Sequence, residues 1–246
     1  MNRSDYCIIN VFIKEDEKMA GQGMGEYCVD IVMCIDATGS MAPIIDEVKK
    51  NAISFYEKFI ESMEENDKEV ETLRIKVIAF RDYGCDQDPM VESEFFKLPE
   101  QNDDFRRFVD NIEAKGGGDI PENALEAIAL ALKSDWTTDG SKRRHVILVF
   151  SDAPALPLGA RAGSSGYPSG MPADIAQLGA WWEATDQTLG SNYQAKAGRL
   201  VAFVPNAEPW TELQAWNRYW PAFSPAGTGL PDVDIQSAID LVVGSF

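Results

Sequence analysis

Three short stretches carry residues able to do chemistry together: "DATGS" at 36–40, "GGGDIPE" at 116–122 and "SDAP" at 151–154. Asp36, Thr38, Ser40, Asp119 and Asp152 offer oxygen alone, with no histidine or thiol beside them. Hard oxygen donors select Mg²⁺, Mn²⁺ or Ca²⁺ over zinc. Clustered carboxylates repel one another, and a divalent cation at their centre removes that repulsion. The D-x-T-x-S spacing suits this task. A loop leaving a strand for a helix turns alternate side chains toward one point, while Gly39 relieves crowding and the backbone there supplies N–H groups.

Such a loop needs a strand to hold it and a helix to receive it. The apolar run at 27–35 reads as a strand, and the helix expected over 43–65 has Pro43 in its first turn. Its Ile44, Val48, Ala52, Phe55, Phe59 and Met63 recur by threes and fours. Further strands are expected at 73–81, near 93–98, at 145–152, at 199–206 and near 220–224. Helices are expected at 103–113, 121–133, 173–189, 209–218 and 233–242. "HVILVFSD", apolar throughout its first six residues but the histidine, fits a strand buried on both faces of a parallel sheet. Strands alternating with helices give an α/β class: a doubly wound, Rossmann-like, mostly parallel sheet with helices on both faces, forming one domain over 27–246. Residues 1–26 read as an appendage, an extra strand at 7–13 and a charged, glycine-rich linker. In this class ligands bind outside the carboxyl ends of the strands, where all three stretches fall.

Taken in order, these stretches resemble the metal-ion-dependent adhesion site (MIDAS) of von Willebrand factor type A (vWA) domains. That pattern is D-x-S-x-S, then a threonine on a second loop, then an aspartate after a later strand. Asp36, Thr38 and Ser40 match the first element with a conservative threonine, and Asp152 matches the third. Asp119 stands where the family usually has threonine. "GSM", "FRDYG", "GGGD-PE" and "SDAP" are closest to the vWA domains of alpha-kinase proteins and of many bacterial intracellular relatives, and the resemblance covers about residues 27–243. It implies the vWA fold and a site in which Asp36, Thr38, Ser40, Asp119 and Asp152 hold Mg²⁺ (or Mn²⁺ or Ca²⁺), some through water, with Asp82 and Gly118 behind them. No kinase catalytic domain follows in the sequence, so the implied role is a binding module without an enzyme. Such a module would place a partner protein's acidic or polar side chain on the metal's open position. The expected partner is a protein, with a kinase- or phosphatase-associated complex as the candidate setting.

Each residue also has a plainer reading. Asp119 fits a helix N-cap, with Pro121 early in the helix and Glu122 completing a capping box. Asp152 fits a turn, Thr38 and Ser40 fit caps of the following helix, and Asp82 fits a surface turn or a pair with Arg81. His145, beside two arginines, reads as a surface residue at a strand entrance, and the tryptophans read mainly as core. The Gly, Pro and Ser-rich stretch 153–171 reads as a mobile flap over the site. Two rival functions remain. One is a Mg²⁺-dependent hydrolase or phosphotransferase using the same carboxylates, although Thr38 stands where D-x-D enzymes carry a second aspartate. The other is a scaffold with a closed structural metal.

The 246 residues carry 40 acidic and 22 basic side chains, a formal charge of −18, which repels phosphate backbones and anionic membrane surfaces. Nucleic acid and membrane are therefore not expected partners. The cysteines show no C-x-x-C spacing, and Cys28 and Cys34 on one strand lie about 20 Å apart by strand rise, too far to bridge. Reduced, buried thiols and the lack of a leader-like segment point to a cytoplasmic protein.

Overall fold

The computed structural model of the chain describes residues 26–118, 121–224 and 235–246. The strand expected at 7–13 and the side chain of Asp119 lie outside those residues. The first strand, β1 (Tyr27–Asp36), is buried at every position. Parallel neighbours flank it: β2 (Val70–Phe80) on one side and β5 (Lys142–Phe150) on the other. β6 (Gly198–Pro205) and β7 (Tyr219–Ser224) extend the sheet beyond β5, also parallel. In place of one strand near 93–98, two short antiparallel strands, β3 (Met90–Glu92) and β4 (Phe96–Leu98), share the outer edge of β2.

Successive residues of β1 point to opposite faces, and each face has its own core. Val29, Ile31, Met33 and Ile35 pack with α1 (Ile45–Glu65) and α5 (Ile235–Gly244). Val32 and Cys34 pack with α3 (Ala124–Leu132) and α4 (Ile175–Trp182). A strand covered on both faces must be apolar almost throughout, which is why β1 reads as an unbroken run. Buried Asp30 and the terminal Asp36 are the exceptions, and the Asp30 carboxylate is met by Arg74 at 2.7 and 2.6 Å. The helix α2 (Asn102–Asp110) covers the first face, Phe105 and Val109 entering its core.

From β1 the chain passes through α1 to β2 on one side, then returns through α2 and α3 to β5 on the other. The switch point therefore lies between the carboxyl ends of β1 and β5. In doubly wound sheets that is where the connecting loops diverge and leave a crevice.

Several boundaries differ from the sequence reading. The chain after β1 first makes a 3₁₀ turn, Gly39–Met41, and becomes α-helical only at Ile45. The helix expected over 173–189 stops at Trp182, because Ala184 adopts φ 50°, a left-handed conformation that no α-helix continues through. The Trp-rich segment near 209–218 forms only a 3₁₀ turn, Glu212–Ala215. His145 is not a surface residue. It is fully buried, stacked on Trp136 at 4.8 Å, and its ring nitrogens contact Thr137 O and the Gln194 N–H. Burial pushes its pKa down to about 4, so it packs as a neutral ring. Trp136, Trp181, Trp182 and Trp210 are core residues, as expected of most tryptophans.

Candidate metal centre

At the end of β1, Asp36 is completely buried and accepts three hydrogen bonds from side chains and backbone. Its Oδ1 receives the Thr38 N–H at 3.0 Å and the Thr38 hydroxyl at 2.7 Å. Its Oδ2 receives the Ser151 hydroxyl at 2.6 Å. Thr38 Oγ1 and Ser40 Oγ lie 3.1 Å apart, and Ser40 Oγ donates to Asp152 Oδ1 at 2.9 Å. Four of the five expected ligands thus form one chain of contacts across the switch point. Asp119, the fifth, is not among the described residues.

The backbone holds the loops in place. Gly39 N donates to Gly116 O and Lys115 N to Ala37 O, lacing the first loop to the second. Buried Arg81 does not pair with Asp82. Its guanidinium donates to the carbonyls of Ala37, Lys115, Asp88 and Glu113, between 2.7 and 3.1 Å, and so clamps both loops from below. Gly117 has φ 72°, and a Cβ there would meet Thr38 Cβ and Glu122 Oε1 at 2.9 Å, so only glycine lets the second loop come this close.

Asp82 is fully buried, and its partner comes from the far loop. Arg161 reaches it with two bonds of 2.8 and 2.6 Å. Burial pushes the Asp82 pKa up, but Arg161 and the Gly84 N–H outweigh it and hold the group below the usual aspartate range. Gly118 packs on Cys85 instead, since a Cβ there would fall 2.3 Å from its Sγ. The stretch 153–171 is therefore not an unpacked flap. Ala153, Ala155 and Leu158 are buried, Arg161 grips Asp82, and the Tyr167 hydroxyl donates to Glu126 at 3.0 Å while its ring meets Tyr83 edge-on.

Two residues of the site escaped the sequence reading. Ser151 was hidden beside the more conspicuous Asp152. Glu122 has the spacing of a capping-box partner, yet α3 begins at Ala124 with Asn123 at its cap position, and Glu122 lies before it. Glu122 is buried and its Oε2 has no hydrogen-bond partner among the described residues. Burial, then the charges of Asp36, Asp82, Asp86 and Asp152, raise its pKa to about 8. Asp36 is raised to about 6, by burial first and by Asp152 in part, against the bonds from Ser151 and Thr38. A "PE" pair just after a glycine run was the available signal, since a simple cap needs no such permissive backbone.

Among the described residues, no three His, Cys, Asp or Glu side chains converge closely enough to hold an ion by themselves. The described part of the set is two carboxylates and two hydroxyls. It fits a hard cation chemically: every donor is oxygen, burial and the Asp152 charge push Asp36 toward protonation, and the buried Glu122 Oε2 beside them lacks a partner among the described residues.

The von Willebrand factor A domain family model matches residues 30–157, more than half of the chain, and the chain belongs to that family. Over 148 residues it is 26% identical to the alpha-protein kinase vwkA of Dictyostelium discoideum, covering 60% of this chain and 22% of that protein. The chain thus spans about a fifth of the kinase's length. Its fold is similar to that of the pilus adhesin SpaC from Lactobacillus rhamnosus GG, with a TM-score of 0.52 at 11% identity over 90% of this chain and 31% of the adhesin. The adhesin's open conformation gives the same TM-score at 10% identity. Domains of this family often serve as protein-interaction modules.

Proposed function

We infer that the chain is a divalent-metal-dependent protein-binding module, whose metal centre takes an acidic or polar side chain from a partner protein. The observation that carries this reading is the run of contacts Asp36–Thr38–Ser40–Asp152 across the β1/β5 switch point. Asp36, Thr38, Ser40 and Asp152 would hold Mg²⁺ or Mn²⁺, with Asp119 joining from the second loop and Glu122 adding negative charge beside them. When bound, the ion supplies a Lewis-acidic position for an incoming oxygen ligand.

The chain's own residues do the positioning. Asp36 has both oxygens engaged by Thr38 and Ser151, which fixes its orientation and suits a ligand better than an attacking nucleophile. Ser40 and Asp152, less buried, form the side of the centre that faces a partner. A meeting place inside the cell is in keeping with Cys28 and Cys34, buried thiols that form no disulfide among the described residues. Capture of partners from a cell extract on the immobilised chain tests the reading. The same protein should be retained in Mg²⁺ and released by chelator, and retention indifferent to chelator would contradict metal dependence.

A further inference from the structure

We propose that a second site, a cavity beside the metal centre, receives a lysine side chain of a protein partner. The cavity measures about 320 Å³, within the usual range for ligand pockets. Its floor is apolar, made by buried Leu125, Ala155 and Leu158 with half-buried Ile175. Its mouth carries Asp174, Glu208 and Glu212, all exposed, and among the described residues no basic side chain lines it.

Asp174 is already engaged, since its Oδ1 caps α4 by accepting the Gln177 N–H at 2.8 Å. The side-chain carboxylates of Glu208 and Glu212 have neither hydrogen bond nor ion pair with any described residue. An anionic occupant would be repelled by all three carboxylates, and a purely apolar one would strip water from them without replacement. A lysine satisfies both parts. Its four-carbon stem covers the apolar floor and its ammonium stays at the wet mouth among the carboxylates.

The cavity shares the metal centre's face of the molecule. Ala155 lies three residues beyond Asp152, and Trp210 Nε1 donates to Ala153 O at 3.0 Å, tying the segment that carries Glu208 and Glu212 to the end of β5. A partner docked near Asp152 can therefore reach the cavity, but lysine binding there needs no metal.

Nuclear magnetic resonance titration of the full chain, in chelator, separates this site from the metal reading. The probes are two acetylated, amidated pentapeptides, Gly-Gly-Lys-Gly-Gly and the same peptide with norleucine at its centre. The lysine peptide should shift the methyl signals of Leu125, Leu158 and Ile175 saturably, at least tenfold more tightly than the norleucine peptide. Glu208→Gln combined with Glu212→Gln, both at exposed positions, should remove most of that preference and leave the rest of the spectrum in place. Equal response to both peptides, no response at these methyls, or a lysine preference unchanged in the double variant would each overturn the proposal.

Discussion

Ser40 Oγ donates a 2.9 Å hydrogen bond to Asp152 Oδ1, joining the ends of β1 and β5 through residues 112 positions apart in the chain. The two strands are adjacent and parallel, so their ends open into the same crevice. The bond is solvent-exposed and adds little to stability, yet it points two oxygen donors at one place. Ser40→Ala should therefore shift metal-free unfolding by less than about 1 kcal/mol while weakening Mn²⁺ binding at least tenfold. Denaturant melts and calorimetry on one preparation check both halves. A large stability loss with intact affinity would make the residue structural.

The raised pKa values of Asp36 and Glu122, about 6 and about 8, give metal binding a definite pH dependence. In the metal-free folded state both groups bind protons more tightly than in the unfolded chain, so their contribution to stability is fully present below about pH 4. It is lost as pH rises through the folded values. A cation competes with those protons. Apparent metal affinity should rise between pH 5.5 and pH 8, and the metal-induced gain in melting temperature should widen over the same window. A flat profile would detach these carboxylates from the metal.

Arg161 is the only basic side chain bonded to the acidic group formed by Asp36, Asp82, Asp86, Glu122 and Asp152 among the described residues, and Asp82 is the group it neutralises. Arg161→Met should leave the buried Asp82 without its counter-charge and cost about 2–4 kcal/mol. Combining it with Asp82→Asn should recover part of the loss in a double-mutant cycle. Additive losses would mean that the pair does not carry the coupling.

Much of this was legible in the sequence, and the failures share a cause. β1 and β5 are apolar on both faces and α1 repeats by threes and fours, so local pattern alone located them and the loops they carry. What the pattern could not show was long-range pairing. Asp82 lies 79 positions from Arg161, whose stretch of Gly, Pro and Ser reads as a flap until that ion pair pins it down. His145 looks exposed beside two arginines, but Trp136 from the loop before β5 and Tyr193 from a distant segment close over it. Glu122 matched a capping box in spacing, and only the start of α3 at Ala124 shows that no helix is there to cap.

Asp119 replaces the neutral threonine of the family pattern with a charge. If it ligates the ion, three aspartates over-neutralise a divalent cation, so metal should bind more tightly and acidic partners more weakly than at a two-aspartate centre. Asp119→Thr should then lower metal affinity and raise affinity for an acidic partner at saturating metal. Equal metal affinity in both proteins would remove Asp119 from the centre.

Whether the strand-end oxygens hold one divalent cation is decided by Mn²⁺ calorimetry on chelator-treated protein, wild type beside Asp36→Asn. The substitution keeps the shape of the side chain and most of its hydrogen-bonding capacity while removing the charge. One saturable Mn²⁺ per chain is expected in the wild type, with a matching rise in melting temperature. Both should be lost in Asp36→Asn while its metal-free fold persists. Absence of saturable binding in the wild type, or equal binding by the two proteins, would contradict a metal centre at these oxygens.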